Sequence, residues 1–428
     1  MHVRLKQSLH IPDGKILLCI FLIAFIIRII STFFVLPVID PGILDAKNQG
    51  DGLTYDDVAM HLLKGEGYGG TSTWPGYSTF LAIVYFLFGR SFTVVRVIQA
   101  ILGSLTCVLI YFLGKSVFSA RVGTIAAGLS VIYPFFLRYT ALVHTETLAV
   151  LLVTSMTLMM IKYHKEPSAK NCVRLGVIVG VSTLIKPVIF GFPIFLLIVM
   201  LLTSQHKLIS LKNFGIILVI FSILLAPWIV RNSLYYNEFV LLPRAGADLY
   251  NSNVPTYKYR FSLPQTKEQI LKDPKYKEII EQKEEVFKHE GSISRNIDEI
   301  DKRGYRMFLN NIIRYPDEFI KGLWFKFKEF WRPIPHPGSP RWTPINIIIT
   351  FLSAGLISLL GFAGMIVSYK RWRTTIFLIA LVVYFTLFHT LIIGLARYRL
   401  PIMPIMMVFA SYILNEVLKK WRIMARRV

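Results

Sequence analysis

Apolar and polar positions alternate along this chain in blocks rather than single residues. Apolar blocks fall at about 15–37, 76–89, 95–114, 122–139, 145–162, 173–185, 188–203 and 212–231, then at 344–368, 374–395 and 401–418. Most approach or exceed the roughly 18 residues that carry a helix across roughly 30 Å of hydrocarbon. Between the two groups lies one long polar stretch, 232–343. The pattern predicts an all-α polytopic membrane protein with three parts. These are an N-terminal transmembrane module (1–231) with a first outer loop at 38–94, an outer-face subdomain (232–343), and C-terminal transmembrane helices (344–428).

Charge between the blocks sets their direction, because Lys and Arg in short loops favour the cytoplasmic side. Arg4, Lys6 and Lys15 precede the first block, and Lys419, Lys420, Arg422, Arg426 and Arg427 follow the last, so both termini read as cytoplasmic. Eleven full crossings would put the termini on opposite sides. The turns at Lys115/Arg121, Lys162/Lys165/Lys170, Lys207/Lys212 and Lys370/Arg371/Arg373 all read as cytoplasmic. Working back from them, the short block 76–89 begins and ends outside. It opens at Pro75-Gly76 and is rich in Tyr and Phe, which suits a re-entrant or juxtamembrane helix. About ten transmembrane helices plus that element satisfy every charge cluster.

The composition agrees: 54% of residues are hydrophobic and 17% charged, and the mean hydropathy is +0.54. The first block is long for a signal peptide and lacks a small-residue cleavage site, so it is expected to be retained. The net charge of +23 lies in interhelical loops and tails, with no basic stripe on a soluble domain, which argues against nucleic-acid binding. Cys19, Cys107 and Cys172 fall in or beside apolar blocks without metal spacing, so neither a disulfide framework nor a zinc site is expected. Within the polar stretch, patterns such as KEQILKDPKYKEIIEQKEEVFKHE predict helices. The segment 312–330 reads as one amphipathic aromatic-basic helix along the membrane interface.

The topology brings distant residues to the outer face. Asp51, Asp56 and Asp57 occupy the first outer loop, and carboxylates beside a bilayer are functional candidates by default. Asp51, Tyr55 and Ala59 share one face if that loop is helical, and an acid there could act as a general base toward a hydroxyl. The plainer role for such an acid is helix capping. Tyr133-Pro134, Arg138-Tyr139 and His144-Thr145-Glu146 form a second outer turn, with Glu146 opening a wholly apolar helix, again either a functional acid or a cap. Lys186-Pro187, Arg231-Asn232 and Arg397-Tyr398-Arg399 add cations at outer helix ends. Each could snorkel singly to the interface, whereas together they outline a phosphate-binding ring suited to the guanidinium fork.

These motifs, with Trp74-Pro75-Gly76-Tyr77, Pro227-Trp228 and Pro401, resemble the bacterial family-39-type glycosyltransferases. That family has the C-type membrane fold shared with protein O-mannosyltransferases and the lipid A aminoarabinose transferase. The resemblance runs from about residue 15 to 418 and is weakest in 232–343. It implies an enzyme of the bacterial cytoplasmic (inner) membrane. The enzyme would transfer a sugar, with inversion, from a polyprenyl-phosphate donor of the undecaprenyl type to a cell-envelope acceptor hydroxyl: a lipid, a glycan or a protein. The family's first-loop acid falls on Asp51. Many relatives carry Asp-Glu there, whereas Gly52 follows Asp51 here, so Asp57 is the alternative base. The second acid falls on Glu146, and Lys186, Arg397 and Arg399 would bind the lipid phosphate. Tyr55, Tyr77, Arg138, Arg231 and Tyr398 complete the substrate-binding set. No cofactor is expected, since fixed cations can supply the electrostatics, although oligosaccharyltransferases of the same fold use a divalent metal.

Two other classes compete. A flippase of polyprenyl-linked glycans predicts inverted repeats and polar breaks at the midplane, whereas the candidate residues gather at one face. A non-catalytic envelope scaffold would leave the outer acids and cations dispensable together.

Overall fold

The computed structural model describes residues 14–45, 50–69, 71, 73–254, 272, 274, 297–335 and 343–424, and among these the regular structure is helical throughout. Helix α1, Gly14–Ile39, crosses first and passes through a π-turn at Ser31–Val35. Two outer helices follow, α2 (Asp51–Leu63) and α3 (Pro75–Phe88). The bundle continues with α4 (Phe92–Val117), α5 (Ala120–Val131), α6 (Pro134–Ala141), α7 (Glu146–Lys165) and α8 (Ala169–Ile185). A 3-10 turn, Pro187–Gly191, runs into α9 (Phe192–Thr203), and α10 (Lys207–Tyr236) closes the first half.

Three helices of the outer segment are described: α11 (Ala245–Asn253), α12 (Ile297–Arg314) and α13 (Pro316–Phe330). The helical pattern expected near 267–290 lies almost wholly outside the described residues. The single helix expected over 312–330 is divided instead. Pro316 lacks an N–H and restricts the residue before it, so α12 stops at Arg314 and α13 restarts at Pro316. Helix α14 (344–367), α15 (Trp372–Leu391), a 3-10 turn at Ala396–Ile402 and α16 (Met403–Met424) complete the chain.

Among the described residues, six helical stretches are long and apolar enough to cross a membrane, and the α5–α6 pair, bent by 50° at Pro134, makes a seventh. One of the six, Pro344–Leu391, has 48 residues, about 72 Å if straight and more than twice the hydrocarbon thickness. It folds back at Ser368–Arg371. Its start packs near Pro333 through Gly355, and its end at Leu391 accepts from Lys326, so both ends lie beside the outer segment. Among the described residues, counting the two arms of that stretch separately and adding the 17-residue α8 and the continuous Pro187–Thr203 helix gives the ten crossings that loop charge predicts. Helix α3 has 14 residues, about 21 Å, too short to be an eleventh.

Side-chain contacts fix the two ends of the bundle. Lys165 Nζ donates to the Ser116 carbonyl (2.7 Å) and Arg371 Nη1 to the Val117 carbonyl (3.2 Å), so the turns after α4, α7 and α14 meet at one end. The candidate residues gather at the other. The main core joins α4, α5, α7–α10 and α14–α16. Helices α14 and α16 pack so closely that a Cβ at Gly364 would collide with the Phe409 carbonyl, the small-residue contact typical of membrane helices. Large apolar side chains such as Phe34, Phe86, Leu208 and Ile366 point outward, as expected of a multi-pass protein solvated by lipid.

Candidate active site

Asp51 stands in the first turn of α2, where the helix N-terminus favours negative charge. Its Oδ2 accepts from Arg397 Nη2 at 2.9 Å, joining positions 346 residues apart. Arg397 also donates to the Tyr398 hydroxyl (2.9 Å) and lies over that ring. Lys186 Nζ is 5.5 Å from the centre of the same ring and donates to Glu146 Oε1 at 3.2 Å. His144 Nδ1 is 3.7 Å from the other Glu146 oxygen. Two carboxylates, two cations and a tyrosine thus form one connected cluster. Breaks in the helices supply it. Pro187 ends α8 and leaves Lys186 at its C-cap, while Glu146 starts α7 after the short α6.

Tyr55 lies one turn along α2 from Asp51 and packs edge-on to Tyr77 (5.1 Å between centroids). Burial, and then the charges of Glu146 and Asp51, hold its phenol above the usual range. It is therefore a hydroxyl donor at neutral pH. Tyr77 donates to Gln99 (2.8 Å), whose amide reaches the Thr140 and Leu142 carbonyls, tying α3 to α4 and to the turn before Glu146.

Several expected residues lie elsewhere. Asp57 is six positions beyond Asp51, about 240° round the helix. Its side chain is 75% exposed and faces His61. Arg138 pairs with Asp40 at 2.5 Å. Arg399 is buried with Nη1 on the Phe330 carbonyl (3.1 Å), turned away from Arg397 because the intervening backbone is a 3-10 turn. Asp56 is structural: it accepts from Tyr85 (2.7 Å) and Arg90 (2.6 Å) and holds α2 to α3. His389, hidden within an apolar block, was not singled out by the sequence. Its ring stacks on Tyr398 at 4.9 Å and 3°. Among the described residues, no group of three or more His, Cys, Asp or Glu side chains could hold a metal ion.

Arg231 marks a second feature. Its guanidinium lies over the Trp228 and Tyr235 rings (4.9 and 5.0 Å) and donates to the Gly69 and Thr71 carbonyls. Beside it is a cavity of about 530 Å³ between α3, α7, α8 and α10, lined by Tyr68, Phe80, Ile83, Leu152, Leu184 and Trp228 among others. The lining includes Leu148 and Ile185, two residues from Glu146 and one from Lys186.

The comparisons with known proteins agree on this architecture. Residues 72–230 match the family model described as dolichyl-phosphate-mannose-protein mannosyltransferase. Among solved structures, the chain aligns with the oligosaccharyltransferase AglB of Archaeoglobus fulgidus, in complex with an inhibitory peptide and a dolichol-phosphate. That match has TM-score 0.56 and 14% identity, over 97% of this chain and 52% of AglB. It also aligns with ArnT of Cupriavidus metallidurans bound to undecaprenyl phosphate, with TM-score 0.51 and 14% identity, over 94% of this chain and 60% of ArnT. The fold is shared with the C-type membrane glycosyltransferases. The chain spans about half of AglB and three fifths of ArnT, so the C-type fold is common to all three while a large part of each relative has no counterpart here. No curated protein matches.

Proposed function

We propose that this protein is an inverting glycosyltransferase that takes a sugar from a polyprenyl-phosphate donor and places it on an acceptor hydroxyl at the outer face of the bacterial cytoplasmic membrane. The observation that carries the reading is the apolar cavity of about 530 Å³ with a guanidinium at its edge, lined in part by Leu148 and Ile185, the chain neighbours of the Glu146–Lys186 pair. An isoprenoid chain suits the apolar walls, and a phosphate suits the cations. Dolichol-phosphate in the AglB complex and undecaprenyl phosphate in the ArnT complex favour the same ligand class.

In this reading Asp51, 57% exposed at the cluster's edge, is the base and takes the proton as the acceptor oxygen attacks the anomeric carbon. The bond between that carbon and the phosphate oxygen breaks as the new one forms, inverting the centre. Lys186, Arg231 and Arg397 balance the charge of the departing polyprenyl phosphate, which needs no protonation near neutral pH. These fixed cations act as preorganised electrostatic groups, with no cofactor required. Glu146 holds Lys186, and the Tyr55 hydroxyl is a donor for the sugar or the acceptor. The basic turns at the opposite end of the bundle face the cytoplasm together with both termini, and the outer segment 232–343 selects the acceptor.

The test is transfer from a polyprenyl-monophosphate sugar by protein in lipid nanodiscs. Wild type is expected to turn over and Asp51→Asn to lose about 100-fold or more while binding decaprenyl phosphate unchanged. Full transfer by Asp51→Asn would remove Asp51 as the base. Failure of wild type to bind decaprenyl phosphate would remove the function.

A further inference from the structure

Lys326 is a lysine inside the protein. It lies on α13, in the outer segment, yet its side chain is fully buried. Its Nζ donates to the Asn253 side-chain oxygen (2.6 Å), the Leu391 carbonyl (2.8 Å) and the Ser252 carbonyl (3.2 Å). Three acceptors match the three hydrogens of an ammonium, and they come from two helix ends, α11 and α15. Asn253 Nδ2 adds a bond to the same Leu391 carbonyl (2.9 Å). The Leu391 oxygen is one of the carbonyls that a helix C-terminus leaves without an intrahelical partner. The backbone that follows is pressed against α13, since a Cβ at Gly394 would collide with the Lys326 carbonyl.

A second set of contacts leaves the same helix four residues later. Phe330 stacks on His389 (5.5 Å, 17°), which stacks on Tyr398 (4.9 Å, 3°), and the Phe330 carbonyl accepts from Arg399. Helix α13 thus grips the start of the 392–402 segment through Lys326 and its far part through Phe330. That segment carries Arg397, which meets Asp51, and Tyr398, which Lys186 faces.

We propose that Lys326 is a positioning residue. With the Phe330–His389–Tyr398 stack, its amine fixes the turn that presents Arg397 and Tyr398 to the site, coupling the outer segment to the phosphate-binding cations. The part concerning phosphate rests on the glycosyltransferase reading, whereas the part concerning the turn does not. Lys326 donates to Ser252, Asn253 and Leu391 rather than to the cluster, so its effect passes through backbone placement, whereas His389 touches the cluster through its stack on Tyr398.

The test pairs two measurements on the full chain in nanodiscs: a structure of Lys326→Met, and the affinity of its folded fraction for decaprenyl phosphate. The expected result is that Arg397 withdraws from Asp51 and that affinity per folded molecule falls about tenfold, the size of one lost charged hydrogen bond. A purely structural lysine would lower the melting temperature and leave that affinity untouched, which overturns the proposal. An unmoved turn overturns it whatever the affinity. A moved turn, with wild type showing no affinity for decaprenyl phosphate, upholds the positioning and removes the function on which the rest depends. Asn253→Ala removes two of the latch bonds without leaving a hole at the lysine. It is expected to shift the turn in the same direction, and it serves as the deciding variant if Lys326→Met does not fold.

Discussion

Lys186 and Glu146 are 40 positions apart in sequence, yet their charged atoms meet at 3.2 Å inside the protein, with both side chains almost wholly removed from solvent. The pair joins the break after α8 to the start of α7 and holds a cation at the Arg397–Tyr398 cluster. Breaking a buried pair by removing one partner strands the other charge, typically at a cost of about 3–5 kcal/mol. Replacing both by groups of similar shape avoids that cost. Glu146→Gln and Lys186→Met are each expected to lower the unfolding temperature clearly. The double variant should recover much of that loss. Transfer activity should stay absent in the double variant, because the cation is gone. Thermal unfolding and transfer assays on the three proteins check both statements. Recovery of transfer together with stability would assign the pair to structure alone.

Three acids of the first outer loop, Asp51, Asp56 and Asp57, are expected to separate into three behaviours. Asp51 is exposed at the edge of the cluster, so Asp51→Asn should remove transfer with little change in unfolding temperature. Asp56 is buried and accepts from Tyr85 and Arg90. Asp56→Ala leaves those donors without their acceptor and should cost about 1–3 kcal/mol, with activity lost only as far as the fold is. Asp57, 75% exposed beside His61, should tolerate Asn by both measures. Loss of transfer in Asp57→Asn at full stability would move the base to Asp57.

Loop charge reveals which face of the membrane a residue reaches but not its angle around a helix or turn. For that reason Asp51, Glu146, Lys186 and Arg397 were legible as residues that converge, and the multi-pass helical fold was legible with them. The same signal could not separate Arg397 from Arg399. They stand two positions apart in a 3-10 turn, about 240° around its axis, so one meets Asp51 and the other the Phe330 carbonyl. Arg138 likewise reads as an outer cation, but its partner, Asp40, lies in a segment whose path only tertiary structure fixes. His389 sits among apolar residues and carries no spacing signal. Its relation to Tyr398 depends on a chain reversal that no local pattern encodes.

Burial pushes the Lys326 amine down to about 7 from an ordinary value of 10.5. The folded protein therefore binds fewer protons than the unfolded chain between those values. Stability should rise with pH across the window from about 7 to 10.5, with a contribution of at most about 1.4 kcal/mol per pH unit. Below pH 7 both states are protonated at this position, and its contribution is flat. Denaturant unfolding of wild type and Lys326→Met between pH 7 and 9.5 isolates that slope. The variant should be flatter than wild type by the lysine's share. Parallel pH profiles would mean that the amine titrates near its ordinary value, its three acceptors offsetting the burial.

The cavity beside Arg231 gives the most direct handle on donor binding, because its walls can be changed without touching the charged cluster. Ile83 on α3 and Leu152 on α7 both line it, and neither contacts Asp51 or Arg397. A tryptophan at either position adds volume where an isoprenoid chain would lie. Ile83 is also exposed on its outer side, so the new ring can turn toward lipid and the fold should tolerate it. Leu152→Trp, on the more enclosed helix, should block the space more fully. Each apolar contact of methylene size is worth about 0.8 kcal/mol, so excluding two or three methylenes should weaken decaprenyl phosphate by about tenfold to 100-fold. Inorganic phosphate, which has no chain, should compete equally well in wild type and in both variants. That contrast separates the apolar site from the cations. Unchanged decaprenyl phosphate affinity in a folded Leu152→Trp protein would place the lipid chain elsewhere on the bundle.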